Sequence, residues 1–269
     1  MESKFHEKFY SFAKYYDIAF DFRDVTKECH FLESVFLKYS CRPLTSFVEF
    51  GAGPATHCLE MAKKLLSVTA VDLSQDMVKY ASTKAKESNR PVNFECADMI
   101  SYQSEKVYDM AALLMDSASY LLTNDQVIQH LRSVAKVLSA DGIYVLEMSH
   151  PKSVFDIAKT ALNEWEMERD NIKVKVQWGR PDDVFDPITQ LTNVSVTLEY
   201  HEGERNGVLH ENSLQRCFTA TEFAALVAAS GVFEIAGYFG GMSMEIPFSS
   251  EKRSWRMVPV LRKVNDTSS

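Results

Sequence analysis

No two of the five cysteines (Cys29, Cys41, Cys58, Cys96 and Cys217) stand in a CxxC pair, and no paired histidines supply a zinc-ligand spacing. The chain therefore offers neither a disulfide framework nor a metal staple, and its thiols read as the reduced cysteines of a cytoplasmic protein. No apolar run approaches the roughly 20 residues of a membrane span, and the opening "MESKFHEKFY" lacks the apolar core of a secretion signal. The expectation is a soluble protein without a membrane partner. A basic stripe is also missing: 29 Lys and Arg stand against 37 Asp and Glu, for a formal net charge of −8. That balance argues against a long nucleic acid as partner. Repeats, low-complexity segments and a nucleophile–base triad are absent too.

What is present is an ordinary globular composition, 46% hydrophobic and 25% charged over 269 residues. The length suits one large domain, or one with a sizeable insertion. The first 40 residues read as helical, with Phe9, Phe12, Tyr16 and Phe20 at helix-like spacing. An alternation of strands and helices follows. "SFVEFG", "SVTAVD", "PVNFEC", "YDMAALLM" and "GIYVLEM" read as five strands. "ATHCLEMAKKLL", with Leu59, Ala62 and Leu66 on one side, reads as a helix, as do "SQDMVKYASTKAKES" and "TNDQVIQHLRSVAKVLS". Ser74 is placed to cap the second of these, and a Thr123-to-Gln126 capping box opens the third, which closes near Gly142. Such alternation implies a parallel sheet covered on both faces.

The rhythm breaks between residues 151 and 217. After a helical stretch, "NIKVKVQWG", "TQLTNVSVTLEYHE" and "GVLHENSLQRCF" alternate polar and apolar residues with period two, with a hairpin connection at "HEGERNG". This predicts an antiparallel sheet inserted into one α/β domain. The acidic run from Glu164 to Asp170 reads as a solvated helix face. "TATEFAALVAAS", with a Thr219-to-Glu222 box, and the strands "VFEIAGYFG" and "RMVPVLRK" complete the chain.

Glycine is scarce, with 10 residues, yet Gly51 and Gly53 sit one apart where the first strand turns into a helix. Glycines there permit positive φ and let a ligand approach the backbone. A carboxylate at Glu49 suits a ligand carrying an ammonium group. Asp72 ends the second strand, where it can accept from ribose hydroxyls or else cap the next helix. Asp98, in "ADM", can accept from an exocyclic amine such as that of adenine. A dinucleotide fingerprint would place glycine at Thr56, which counts against an NAD-type dehydrogenase.

The stretches "VEFGAGPATHCLEMAKK", "VTAVDLSQDMVKYA", "NFECADM" and "YDMAALLMDSASYLL", in that order over residues 45–150, resemble the class I S-adenosylmethionine-dependent methyltransferases. The later "FTATEFAALVAASGVFEIAGYF" fits the same pattern. The third small residue of the family's glycine motif is Ala55 here. The resemblance implies a Rossmann-like α/β fold: a seven-stranded sheet of order 3-2-1-4-5-7-6, its last strand antiparallel, with helices on both faces. It also implies S-adenosyl-L-methionine as cofactor. Glu49 would organise the methionine ammonium through water, and Gly51 and Gly53 would make room for the methionine and ribose. Asp72 would bind the ribose hydroxyls, Leu73 and Met77 would pack on the nucleoside, Asp98 and Met99 would meet the adenine, and Met115 or Asp116 would flank the transferring methyl.

Methyl transfer needs two reactants aligned and dry more than it needs a triad. The expected reaction is methylation of an N or O atom of a small molecule, with the inserted sheet covering the acceptor. A protein or RNA acceptor, or a silent nucleoside-binding protein, are the alternatives. His150, after the fifth strand, is the candidate general base, against a reading as a turn cap. Residues 1–40 would form a helical lid with Tyr16 as donor contact, aided by Tyr15. His57, His130, His201 and His210 read as surface or packing residues. Trp178, Arg180 and Arg216 suit an acidic or planar acceptor, with polar loop positions as the plainer reading.

Overall fold

The computed structural model describes residues 12–65, 67–155 and 163–264; Phe9 and Leu66 lie outside them. In chain order the elements are α1 (Ala13–Ala19), α2 (Val25–Tyr39), β1 (Ser46–Phe50), α3 (Thr56–Met61), β2 (Ser67–Asp72), α4 (Gln75–Glu87), β3 (Asn93–Cys96) and β4 (Tyr108–Leu113). A single 3₁₀ turn at Ser117–Tyr120 leads to α5 (Asn124–Val137), β5 (Leu138–Leu146), β6 (Met148–Ser149) and α6 (Pro151–Val154). Then come β7 (Asn163–Arg169), β8 (Ile172–Trp178), β9 (Phe185–Asp186), β10 (Leu191–Glu202), β11 (Arg205–Arg216), α7 (Ala220–Ser230), β12 (Phe233–Phe239) and β13 (Arg256–Lys263).

The main sheet runs β3-β2-β1-β4-β5-β13-β12, with β6 as a short addition on β13. Strands β1 to β5 are parallel, and β13 is antiparallel to both its neighbours. This is the order and direction that the resemblance implies. Every residue of β1 and β4 is buried, as expected of central strands covered on both faces. One core layer gathers Phe50, Tyr108, Leu131, Tyr144 and Phe223. The opposite layer gathers Phe36, Phe47, Met61, Met110 and Val260. Both capping boxes form, at Thr123 and at Thr219, and Ser74 accepts from the Met77 N–H.

The second sheet is antiparallel, of order β11-β10-β8-β7, with β9 on β10. Its apolar face has a core of its own: Ile172, Val174, Val176, Val194, Val196 and Leu198 close on Ile18 and Ala19 of α1. No helix among the described residues is long and apolar enough to cross a membrane.

Four local expectations change. The N-terminal helical region is two helices: α1 packs on the second sheet, whereas α2 covers the main one. The acidic run at Glu164–Asp170 is not a helix face; most of it forms β7, where Glu164, Glu166 and Glu168 are exposed and Trp165 and Met167 half-buried. Its period of two decides for a strand once a partner, β8, is available. Helix α3 turns Cys58, Met61 and Ala62 inward while Leu59 stays half-buried. Helix α5 closes at Val137, earlier than Gly142, because Leu138 already enters β5.

Candidate active site

The carboxyl ends of β1, β2, β3, β4 and β5 open into one cavity of about 2050 Å³, roofed by the second sheet and flanked by α1. That exceeds the roughly 300–1,000 Å³ of a single-ligand pocket, so there is room for two reactants side by side.

Gly51 (φ +58°) and Gly53 (φ +52°) both adopt the left-handed conformation in the turn after β1. A Cβ on Gly51 would lie 3.1 Å from Ser117 Oγ, and one on Gly53 would point to Tyr16 at 3.9 Å. Ala55 also has positive φ, +57°, at the position where the family motif has glycine. Its methyl is fully buried, so packing offsets a conformation that costs a non-glycine residue about 1–2 kcal/mol. Asp72 holds this turn. Its Oδ2 accepts from the Gly53 N–H at 2.7 Å and its Oδ1 from the Ser74 N–H at 2.8 Å. Burial pushes this carboxyl above its ordinary range, and the two N–H groups pull it part of the way back.

Leu73, 71% exposed, forms the lip of the cavity beside Asp98, Met99 and Tyr16. Asp98 turns its own loop by accepting from the Ile100 N–H at 2.8 Å. His130 is fully buried behind it. Its Nδ1 meets the Met99 carbonyl at 2.8 Å and its Nε2 the Tyr144 hydroxyl at 2.6 Å, so the carbonyl requires the proton on Nδ1. Burial lowers this histidine to about 4, and the neutral ring fixes the Met99 backbone at the cavity wall.

At the tip of β4, Met115 (φ +54°) and Asp116 (φ +63°) are consecutive left-handed residues. Two residues from the tip of β5 hold them there. Glu147 Oε2 accepts from the Met115 N–H at 3.0 Å, and Asp116 Oδ1 accepts from the Ser149 N–H at 2.8 Å. Glu147 is fully buried, ion-paired with Arg23 at 2.9 Å and Arg256 at 3.2 Å. Burial would raise this carboxyl, but the two guanidinium groups hold it below its usual range. Sequence reasoning missed it; the signal was an acid at the end of "YVLE", equivalent to Asp72 at the end of "TAVD".

The ion network extends behind the glycine turn. Arg23 Nε donates to Glu28 at 3.0 Å, Glu28 faces His57 Nε2 at 2.8 Å, and His57 Nδ1 stands 3.3 Å from Glu49. Burial alone would lower His57, but the Glu49 and Glu28 carboxylates outweigh it and hold it at about 9. His57 is thus neither a surface residue nor simple packing: it is a buried imidazolium between two acids.

The structure brings Tyr16, Gly51, Gly53, Asp72, Leu73, Asp98, Met99, Met115 and Asp116 to one cavity. It does not bring Glu49 or Met77 there. Glu49 is turned to His57 and accepts from the Cys58 thiol at 3.3 Å, leaving Glu28 and Arg23 on the wall in its place. Met77 is fully buried in α4. Tyr15 turns away, stacking on Tyr200 at 4.0 Å and donating to Glu202 at 2.8 Å. His150 reaches the wall, but as a cap: Nδ1 accepts from the Lys152 N–H at 3.1 Å and Nε2 meets the Ser249 carbonyl at 3.0 Å. No ring lone pair remains for a base. Trp178, Arg180, His210 and Arg216 also line the cavity, and His201 pairs with Asn206 outside it.

Residues 47–142 match the family model described as a methyltransferase domain. That stretch is a methyltransferase domain, and the chain has the fold of the class I S-adenosylmethionine-dependent methyltransferases. A protein of Geobacillus sp. (strain WCH70), assigned provisionally by its name to the methyltransferases, is 25% identical over 138 residues, 51% of this chain and 56% of that one. The chain spans about half the length of the curated relatives it matches. An S-adenosylmethionine-dependent methyltransferase from Clostridium acetobutylicum superposes with a TM-score of 0.75 at 17% identity, covering 93% of this chain and 97% of that one. CalS10, an amino pentose methyltransferase from Micromonospora echinaspora solved with S-adenosylmethionine bound, gives 0.70 at 16% identity, over 93% and 96%. At such identities the likeness of these methyltransferases establishes the fold.

Proposed function

We propose that this methyltransferase moves a methyl group from S-adenosyl-L-methionine to an N or O atom of a small molecule held between the two sheets. The observation that carries the reading is the Gly51–Gly53 turn, bare and left-handed, tied by its own N–H to the carboxylate of Asp72 on the next strand. The residues present suit such a donor. The turn has no side chain to obstruct a ligand, Asp72 and Asp98 supply acceptors at two depths, and Leu73 offers an exposed apolar face. Gly51, Gly53, Asp72, Leu73, Asp98, Met99 and Tyr16 would hold the nucleoside. Met115 and Asp116 would flank the sulfur end, with Arg23 and Glu28 taking the place first given to Glu49.

The donor supplies an electrophilic methyl on a sulfonium. The protein's part is alignment and exclusion of water. Helix α1, with Tyr16, would be the lid, and residues 151–217 the roof over the acceptor. His150 would act by position, securing the start of α6 and the Ser249 loop at the wall. An N or O acceptor is supported by the polar residues of the roof that line the cavity, Asn193, Ser195, Asn212 and Gln215 among them, and by the amino pentose named for CalS10.

Calorimetric titration with S-adenosylhomocysteine tests the donor site. Saturable binding is expected, weakened at least tenfold in Asp72→Ala. Unchanged affinity in that variant would show the site to be wrongly placed.

A further inference from the structure

Arg216 is the last residue of β11, where that strand returns to the main sheet. Its side chain is 6% exposed and lines the cavity. Nη2 is committed, donating to Asn124 Oδ1 at 2.5 Å and Glu222 Oε1 at 2.6 Å. The plane of the guanidinium rests over the Phe218 ring at 4.8 Å. Nε and Nη1, equally buried, meet no hydrogen-bond partner among the described residues. Leaving such donors unpaired is costly, more so on a charged group. The other cavity arginines are better provided for: the Nε, Nη1 and Nη2 atoms of Arg23 all have carboxylate partners, and Arg256 Nε, although it too makes no hydrogen bond, stands 3.2 Å from the Glu147 carboxylate. The surroundings favour an anion. Asn124 opens α5, and Glu222 lies in the first turn of α7, so two helix N-termini add positive potential, offset in part by the Glu222 carboxylate. Strand β11 packs on the 3₁₀ turn that follows β4, and Arg216, Cys217 and Asp116 line the same cavity, which sets this corner beside the tip of β4.

We infer that the unpaired Nε–H and Nη1–H of Arg216 bind an anionic group, a carboxylate or a phosphate, of the methyl acceptor. The inference rests on the proposed methyltransferase reading and narrows its substrate class. The acceptor would carry its nucleophilic atom near Met115 and Asp116 and its anion at Arg216. A neutral sugar would leave the two donors unsatisfied.

The test uses the full chain saturated with S-adenosylhomocysteine. The side-chain Nε–H resonance of Arg216, identified by its loss in Arg216→Lys, is followed while sodium phosphate or sodium acetate is added at constant ionic strength. A saturable shift is expected with at least one anion. Phosphate alone indicates a phosphoester acceptor and acetate alone a carboxylate. In Arg216→Gln the affinity for that anion should fall at least tenfold, with S-adenosylhomocysteine affinity kept within twofold; Arg216→Lys should fall between. A resonance that neither anion moves, or anion affinity unchanged in both variants, overturns the inference. If Arg216→Gln does not fold, the wild-type resonance and the lysine variant decide. Failure of S-adenosylhomocysteine to bind would instead sink the donor reading, and the titration would then be run on the free chain.

Discussion

Two histidines at the back of the cleft titrate in opposite senses. His57 is held at about 9 against an ordinary value of 6.5, so the folded state keeps its proton longer than the unfolded chain. Its contribution is complete below pH 6.5 and is lost as pH rises through 9. His130 is lowered to about 4: the unfolded chain takes up the proton first, and stability is lost as pH falls from 6.5 to 4. Each limb is worth up to about 3 kcal/mol at 1.36 kcal/mol per pH unit. Scanning calorimetry across pH should find that His57→Gln flattens the alkaline limb and His130→Gln the acid limb, each leaving the other in place.

The same residues mark what could be read before folding. The convergence of Gly51, Gly53, Asp72, Asp98 and Met99 on one cavity was legible because each closes a strand at a spacing set by the strand–helix unit. Glu49 shares that logic, yet its carboxylate faces inward, because direction depends on a histidine eight residues later and an acid from α2. Met77 was misplaced because α4 is amphipathic and its apolar side serves the core as readily as a ligand. His150 stands where a base would, but only the Ser249 loop, far along the chain, determines that its nitrogens are already used.

At the scale of elements, one side chain ties α1 to both α4 and β7. Asp17, buried, accepts from Tyr80 at 2.9 Å and Lys84 at 2.8 Å, both on α4, and from Arg169 of β7 at 2.6 Å. Burial would raise its carboxyl, but the charges and hydrogen bonds of Lys84 and Arg169 hold it below its ordinary range. Asp17→Asn keeps the shape and removes the charge. Part of the roughly 3–5 kcal/mol of a broken buried pair should be lost locally. Amide exchange in residues 13–19 should then speed up about 10–100-fold, at about 1.4 kcal/mol per tenfold, with that in β1 and β4 unchanged. Removing a cap acts differently. Thr123 accepts from the Gln126 N–H at 3.2 Å, so Thr123→Ala should lower global stability by about 1 kcal/mol, read as a shifted denaturant midpoint at constant slope. The helices whose caps lie within four residues were the most legible elements. Strand β7 was not, since acids at alternate positions look like a solvated helix until β8 supplies hydrogen bonds.

At the scale of the molecule, the described residues divide unevenly among three cores. Two lie on the faces of the main sheet; the third belongs to the second sheet and α1 together. Helix α1 and the second sheet should open as one unit. Exchange-resistant amides of β8 and β10 should share an opening free energy with α1, below that of β1 and β4, and S-adenosylhomocysteine should raise it. Ligand at 100 times its dissociation constant contributes about 2.7 kcal/mol.

The joint ownership of that third core also sets a clock. The Trp165 indole donates to the Ala19 carbonyl across 146 residues of sequence, and the rest of the shared core is made later still. At about 5–20 residues per second of synthesis, α1 leaves the ribosome some 7–30 s before the strands it will lean on. Over that interval the nascent glycine turn stays uncovered, and a completed cleft is among the last things the growing polypeptide acquires.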